Sequence, residues 1–155
     1  METLLAALAS EHALIALFLT AFLAATLLPL GSEWLLVVLL LQGHPIVVTV
    51  LVATLGNTLG GATNYVIGWG GERWWRGRPP PLRQNLRLSR AQALMRRYGG
   101  LALLFSWLPI IGDPLCLVAG ILRFPLIGFF ILVGLGKLGR YAVLAWATQQ
   151  AAGLA

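Results

Sequence analysis

The chain has 155 residues, of which 59% are hydrophobic and only 10% charged. A water-soluble domain carries about 25% charged residues, so this composition excludes an ordinary soluble fold and makes the bilayer the expected solvent. The net charge of +6 is concentrated, with eight of eleven basic residues between Arg73 and Arg97 beside one acid, Glu72; set between long apolar segments, that stretch reads as a membrane-flanking loop and not as a nucleic-acid surface.

In chain order, residues 1–12 carry Glu2 and Glu11 where a signal peptide would be basic, so the first apolar segment is expected to stay in the protein. A crossing helix needs about 20 apolar residues. Segment 13–28 is marginal and 34–42 is far too short. Segment 45–70 qualifies and carries no charge along its whole length. It opens on Pro45, a residue suited to the first turn of a helix. The basic loop follows, and the positive-inside rule places 71–98 in the cytoplasm. Anionic headgroups are its natural contact, and Trp69, Trp74 and Trp75 fit an interfacial belt.

Within the loop, RPPPLR (78–83) reads as a stiff extended linker. SRAQALMRRYGG (89–100) reads as a short helix on the inner leaflet. Ser89 with Gln92 gives a capping-box pattern, Ala91, Leu94, Met95 and Tyr98 share a face, Arg90 and Arg97 lie off it, and Gly99-Gly100 ends it. Beyond the loop, 99–111 and 114–122 are again short, while 126–149 is long enough to cross although it carries Lys137 and Arg140. The single cysteine, Cys116, sits in an apolar run and allows no intrachain disulfide.

Pieces as short as 34–42 and 114–122 cannot cross; they suit the halves of re-entrant hairpins whose irregular tips are shielded by protein or face a cavity. One constant, gap-free offset along the chain aligns two such units. Pro29 falls on Pro109, Glu33 on Asp113, Pro45 on Pro125, Gly56 on Gly136, and Asn57 on Lys137. Each unit is then a hairpin, a P-x-x-x-[E/D] tip, a short return and a proline-started spanning helix. If 45–70 alone crosses in the first half, the halves enter from opposite faces, an inverted-topology duplication of the kind found in secondary transporters.

Charges inside a bilayer mark a pathway or a pair. Glu33, Asp113, Arg123, Lys137 and Arg140 are the charges outside the basic loop and the N-terminal stretch. Two readings stand side by side: the five pair and lock the hairpins to the helices, or they line a central polar cavity that suits a phosphate and exchanges protons. Asn57 and Asn64 need partners in hydrocarbon, and the repeat nominates the opposing tip and Lys137. Gly56, Gly60, Gly61 and Gly68 allow close helix packing, including a homodimer. No cluster has metal-ligand spacing, and no P-loop, dinucleotide fingerprint or nucleophile elbow is present; cofactors are not expected, and an enzyme is the weak reading.

Together LLPLGSEWLLV, LGNTLGGATNYVIG, RRYGGLALLFSWLPIIGDPLCLVAGILR and LGKLGRY resemble the DedA membrane proteins (the SNARE-associated or VTT-domain superfamily), in their small YqaA-like branch, over about residues 13–148. The resemblance implies two facing re-entrant hairpins and lipid movement between leaflets, including lipid phosphates, with a link to the proton-motive force. It assigns the first hairpin's proline and acid to Pro29 and Glu33 and the glycine-rich helix to Gly56, Gly60, Gly61 and Gly68; Gly31 and Gly112 are read as tip residues beside Pro29 and Pro109. The second hairpin of the family carries R-x-x-P-x-x-R; here the proline is Pro109, the arginine positions hold Ser106 and Gly112, and Asp113 follows.

The expected protein is therefore an all-α polytopic integral membrane protein of the bacterial inner membrane, one domain over 1–155. It has two inverted halves (13–70 and 99–149), each a re-entrant helical hairpin plus a spanning helix, about the cytoplasmic loop. The expected function is proton-coupled translocation of lipid or lipid-phosphate, with Glu33 and Asp113 at the tips and Lys137, Arg140 and Arg123 holding a headgroup or neutralising the acids. A small-solute or ion transporter on the same scaffold, and a non-transporting membrane-organising or envelope-stress protein, are the alternatives. The first requires a water-lined cavity closed to lipid, the second full pairing of the charges, and a lipid path requires a groove open sideways.

Overall fold

The computed structural model describes residues 2–26, 32–74, 86–108 and 111–153. Pro29, Gly31, Trp75, Pro109 and the 78–83 linker lie outside the described residues. The described chain is helical, in the order α1 (Glu2–Ala24), α2 (Glu33–Leu41), α3 (Ile46–Trp74), α4 (Leu86–Tyr98), a 3-10 helix (Gly99–Trp107), α5 (Gly112–Ile121) and α6 (Leu126–Ala152). Two helices are long and apolar enough to cross a membrane, over Ile46–Gly71 and Leu126–Ala152. At about 1.5 Å per residue each is about 40 Å long, against a hydrocarbon core of about 30 Å. The short helix α2 reaches only about 14 Å.

Glycine contacts fix how the short elements lie on the long ones. A side chain at Gly56 or Gly60 would strike the α1 carbonyls of Phe18 and Phe22, in that order, so α1 runs in the same direction as α3. Gly61 faces Cys116, and Gly68 faces the backbone of Leu117 and Ile121, so α5 also runs with α3. On α6, Gly136 faces the carbonyl of Leu104 in the 3-10 helix, and Arg140 reaches the carbonyl of Trp107, so these two elements are parallel as well. Helix α2 accompanies α6, because Glu33 pairs with Arg140 and Val37 and Leu41 line a depression with Thr148 and Ala152. The expected packing role of Gly56, Gly60 and Gly68 therefore holds within the chain. Helices α1 and α5 both pack on that stripe.

The ends of α2 and α5, which the repeat places in correspondence, show the same hydrogen bonds. The Gly43 N–H donates to the Leu40 carbonyl and that of His44 to Leu39; the Arg123 N–H donates to Gly120 and that of Phe124 to Ala119. Both are the paired bonds of a Schellman cap, with a left-handed residue after the helix. Gly43 takes that conformation at φ +85° without a steric cost, whereas Arg123 adopts it at φ +53° with a side chain attached. Pro45 and Pro125 follow and accept the first bonds of the next helix, from Thr49 and Phe129.

Two details differ from the sequence reading. Helix α4 starts at Leu86, and the Ser89 hydroxyl donates back to the Leu86 carbonyl at 2.9 Å instead of capping a helix start. Its buried face is Leu88, Ala91 and Met95, with Tyr98 exposed, because α4 packs on α5 and the 3-10 helix one turn earlier than the Ser89 start implied. The 99–107 arm is wound as a 3-10 helix, whose rise of about 2.0 Å per residue stretches it over about 18 Å.

Two apolar clusters form the interior. One joins Tyr65, Met95, Leu103, Leu115, Val118, Phe129 and Val133. The other joins Leu17, Leu36, Leu40, Val50, Ala53 and Ala145 around the Tyr141 ring. Between them lies a layer of polar side chains.

Candidate functional site

The polar layer is set by register. Asn57 and Lys137 stand at the same distance from the starts of their helices, about 16 Å along the axis, which is half of a core about 30 Å thick. The two residues that the sequence offset aligns thus meet at the same distance along their helices. The Lys137 ammonium, 3% exposed, donates to the Asn57 backbone carbonyl at 2.6 Å. Gly61 makes room for it, since a Cβ there would lie 3.2 Å from both Lys137 Nζ and Cys116 Sγ. An ammonium in this position replaces a hydration shell with one strong acceptor and nearby charge, which is the requirement for burying a cation.

The first acid, Glu33, opens α2 and pairs with the guanidinium of Arg140. The same guanidinium donates to the Trp107 carbonyl at 3.0 Å, so one α6 side chain fastens α2 and the end of the 3-10 helix together. Residues 137 and 140 are three apart on one helix, hence neighbours on its surface, yet they serve different partners. Lys137 turns inward to α3 and Arg140 turns to the rim.

A hydroxyl node that the sequence reading did not single out completes the first half. Tyr141, 1% exposed, shares a 2.6 Å hydrogen bond with Ser32 Oγ and accepts one from Asn57 Nδ2 at 2.9 Å. The signal was present in the repeat, since the offset that aligns the two halves sets Tyr141 against Gly61. A large aromatic fills the pocket beside the first tip, and a glycine stands in its place beside the second.

Asp113 lies in the first turn of α5 and is half-buried. It feels the charge of Lys137 through the interior. It also lines a cleft of about 270 Å³ with Thr26, Asn64, Arg87, Leu88, Pro114 and Leu117. Asn64 thus stands beside Asp113 of the opposing tip. Its Nδ2 donates to the Ala25 carbonyl at 2.8 Å, satisfying a carbonyl just beyond the C-terminal end of α1 that would otherwise lack a partner. Arg123 stands in the cap at the far end of α5, about 15 Å along the helix from Asp113. Gly112 is needed for close approach, since a Cβ there would strike the Ser106 carbonyl. Ser106 is buried, and among the described residues its hydroxyl has no hydrogen-bond partner.

A groove of about 410 Å³ runs beside the Glu33–Arg140 pair. Its walls are Leu104 and Trp107 of the 3-10 helix and Leu135 and Val143 of α6, with Gly136, Gly139 and Arg140 as its floor. Trp107, Leu135 and Val143 are also exposed on the outer surface, so the groove opens sideways. Gly139 keeps it open, because a Cβ there would meet nothing within 4 Å. Among the described residues no three His, Cys, Asp or Glu side chains gather as a metal site requires.

Comparison with known proteins agrees with these features. The family model for the VTT domain matches residues 2–150. The chain is 45% identical over 140 residues to the inner membrane protein YqaA of Escherichia coli (strain K12), covering 88% of this chain and 92% of that one. The match to YqaA of Shigella flexneri has the same extent, and an uncharacterized protein of Haemophilus influenzae is 41% identical over 136 residues, covering 83% of this chain and 82% of that one. No solved structure matches. With a family match over nearly its whole length and two membrane-length helices, the chain is a membrane protein that belongs to the VTT-domain (DedA) family.

Proposed function

We propose that this protein moves lipid or lipid-phosphate between the leaflets of the bacterial inner membrane along the groove between the 3-10 helix and α6. The observation that carries the reading is the groove itself: apolar walls, a sideways opening and one guanidinium at its floor. Acyl chains can remain in hydrocarbon while a headgroup follows the polar side chains, which lowers the cost of carrying charge across the core. A small-solute path would instead call for a water-lined cavity closed to lipid.

The scaffold that suits this task is the inverted pair of hairpins. Helices α1 and α2 form the first; the 3-10 helix and α5 form the second. The parallel courses of α1 on α3 and of the 3-10 helix on α6 support this reading, as do the matching caps at repeat-related positions. The basic loop 71–98 then lies in the cytoplasm, with α4 at the inner leaflet.

Glu33 and a lipid phosphate compete for the same cation. While Glu33 is ionised it holds Arg140. A proton delivered to Glu33 removes that charge, and the guanidinium becomes available to a phosphate as a charge-assisted donor. Return of the proton restores the pair and releases the headgroup.

The test is reconstitution in liposomes with a phospholipid labelled on its headgroup. Dithionite should quench label beyond the outer-leaflet fraction, and Glu33→Gln should slow this by at least about tenfold, as expected when a charged partner worth about 1.5–3 kcal/mol is removed. Wild-type quenching limited to the outer leaflet would refute lipid translocation.

A further inference from the structure

Two side-chain ties hold the start of α2 to α6, and they differ in kind. Glu33 meets Arg140 as an ion pair. Ser32, one residue earlier, meets Tyr141, one residue later, hydroxyl to hydroxyl at 2.6 Å. Ser32 stands at the N-cap of α2, yet among the described residues its side chain makes no cap bond. A capping serine has extended backbone, whereas Ser32 is helical at φ −64° and ψ −4°. Its buried hydroxyl is committed to α6 instead. Tyr141 accepts from the Asn57 amide at 2.9 Å, which leaves its own hydrogen for Ser32. This second tie therefore fastens the start of α2 to both long helices, and it is built from uncharged side chains.

The second tip is held differently. The offset that sets Glu33 against Asp113 sets Ser32 against Gly112, Arg140 against Gly60 and Tyr141 against Gly61. Close main-chain approach takes the place of the missing side chains, with Gly112 against the Ser106 carbonyl and Gly68 and Gly120 between α5 and α3. Helix α2 has nine residues and no glycine. Its place rests on the apolar cluster of Leu36, Leu39 and Leu40 and on the two side-chain ties. When the ion pair opens, the Ser32–Tyr141 bond is the polar tie that remains.

We propose that Tyr141 is a positioning residue for the Glu33–Arg140 pair. Its hydroxyl keeps the start of α2 seated on α3 and α6 while the pair is open, so that the pair re-forms in register. The role in transport rests on the reading above that Glu33 gives up Arg140; the tether stands without it.

The experiment is hydrogen–deuterium exchange of the detergent-purified protein, read on peptides covering Glu33–Leu41. Glu33→Gln stands in for the open pair, and Tyr141→Phe removes the hydroxyl while keeping the ring. Tyr141→Phe should speed exchange in α2 by about tenfold in the Glu33→Gln background as well as in the wild type, the change expected for one buried hydrogen bond. Peptides of α3 and α5 should keep their wild-type protection. Ser32→Ala should match Tyr141→Phe, and the Ser32→Ala/Tyr141→Phe pair should exchange no faster than either alone, because one bond is removed in all three. No effect of Tyr141→Phe in the Glu33→Gln background would overturn the tether. Faster exchange throughout the chain would make Tyr141 a general stability residue and also overturn it. In the liposome assay Tyr141→Phe should slow lipid movement by about tenfold, and a wild-type rate would overturn the role in transport. A wild-type protein that moves no lipid, with the exchange pattern as expected, would remove the translocation reading and leave the tether standing.

Discussion

Gly120→Ala is expected to cost the protein its folded state. A Cβ at Gly120 would overlap the carbonyl of Tyr65 and press on the backbone nitrogen of Trp69. Both are main-chain atoms inside α3, so no side chain can swing away. On the facing helix, Gly68 presses as closely on the backbone of Leu117, and the two contacts leave no direction in which α5 can slide. Adding a methyl group must push α3 and α5 apart, opening the cluster that contains Tyr65, Leu115, Val118 and Ala119. Core overpacking ordinarily costs about 1–3 kcal/mol, and this site lies at or above that range because only backbone can yield. The helix-propensity gain of Ala over Gly, about 1 kcal/mol, does not offset it. Detergent-solubilised Gly120→Ala should run as aggregate in size-exclusion chromatography, while Gly134→Ala, whose Cβ meets nothing within 4 Å, runs as wild type. A monodisperse Gly120→Ala with the wild-type melting temperature would refute the α3–α5 packing.

The second large effect belongs to Arg140. Arg140→Ala removes the ion pair with Glu33 and the bond to the Trp107 carbonyl together. It leaves a carboxylate near mid-span without its cation. Breaking a buried pair from one side costs about 3–5 kcal/mol; with the two side chains 28% and 26% exposed, the lower end applies. The double variant Glu33→Gln/Arg140→Gln removes both charges and keeps hydrogen-bonding side chains, so it should recover more than half of the loss. Thermal unfolding in detergent, followed by tryptophan fluorescence, measures the cycle. If Arg140→Ala melts with the wild type, the pair does not hold α2 to α6.

The spans were legible because their signals are local: a charge-free run, a proline at the start, and a length compared with a bilayer. The acids were legible because a carboxylate in an apolar run has few explanations. What stayed hidden depends on which surfaces meet. The offset nominated Lys137 as a partner for the asparagine amides, but Lys137 donates to the Asn57 backbone carbonyl, and the Asn57 side chain turns to Tyr141. Tyr141 itself resembles any aromatic on a spanning helix until Ser32 and Asn57 converge on its hydroxyl. Arg123 counted as a charge in sequence, whereas its structural place is a left-handed cap position. The groove was least readable of all, because Gly139 creates it by having no side chain.

That glycine offers the most direct test of lipid movement through the groove. Gly139 and Gly134 lie on the same helix, neither has a neighbour within 4 Å of a built Cβ, and only Gly139 lines the groove. Replacing either by Leu raises helix propensity by up to about 1 kcal/mol, so both variants should fold at least as well as the wild type. In the dithionite assay, Gly139→Leu is expected to lose translocation by at least about tenfold, the change for about 1.4 kcal/mol on the barrier, while Gly134→Leu keeps the wild-type rate. A folded Gly139→Leu that moves lipid as fast as the wild type would show that the lipid does not pass through this groove.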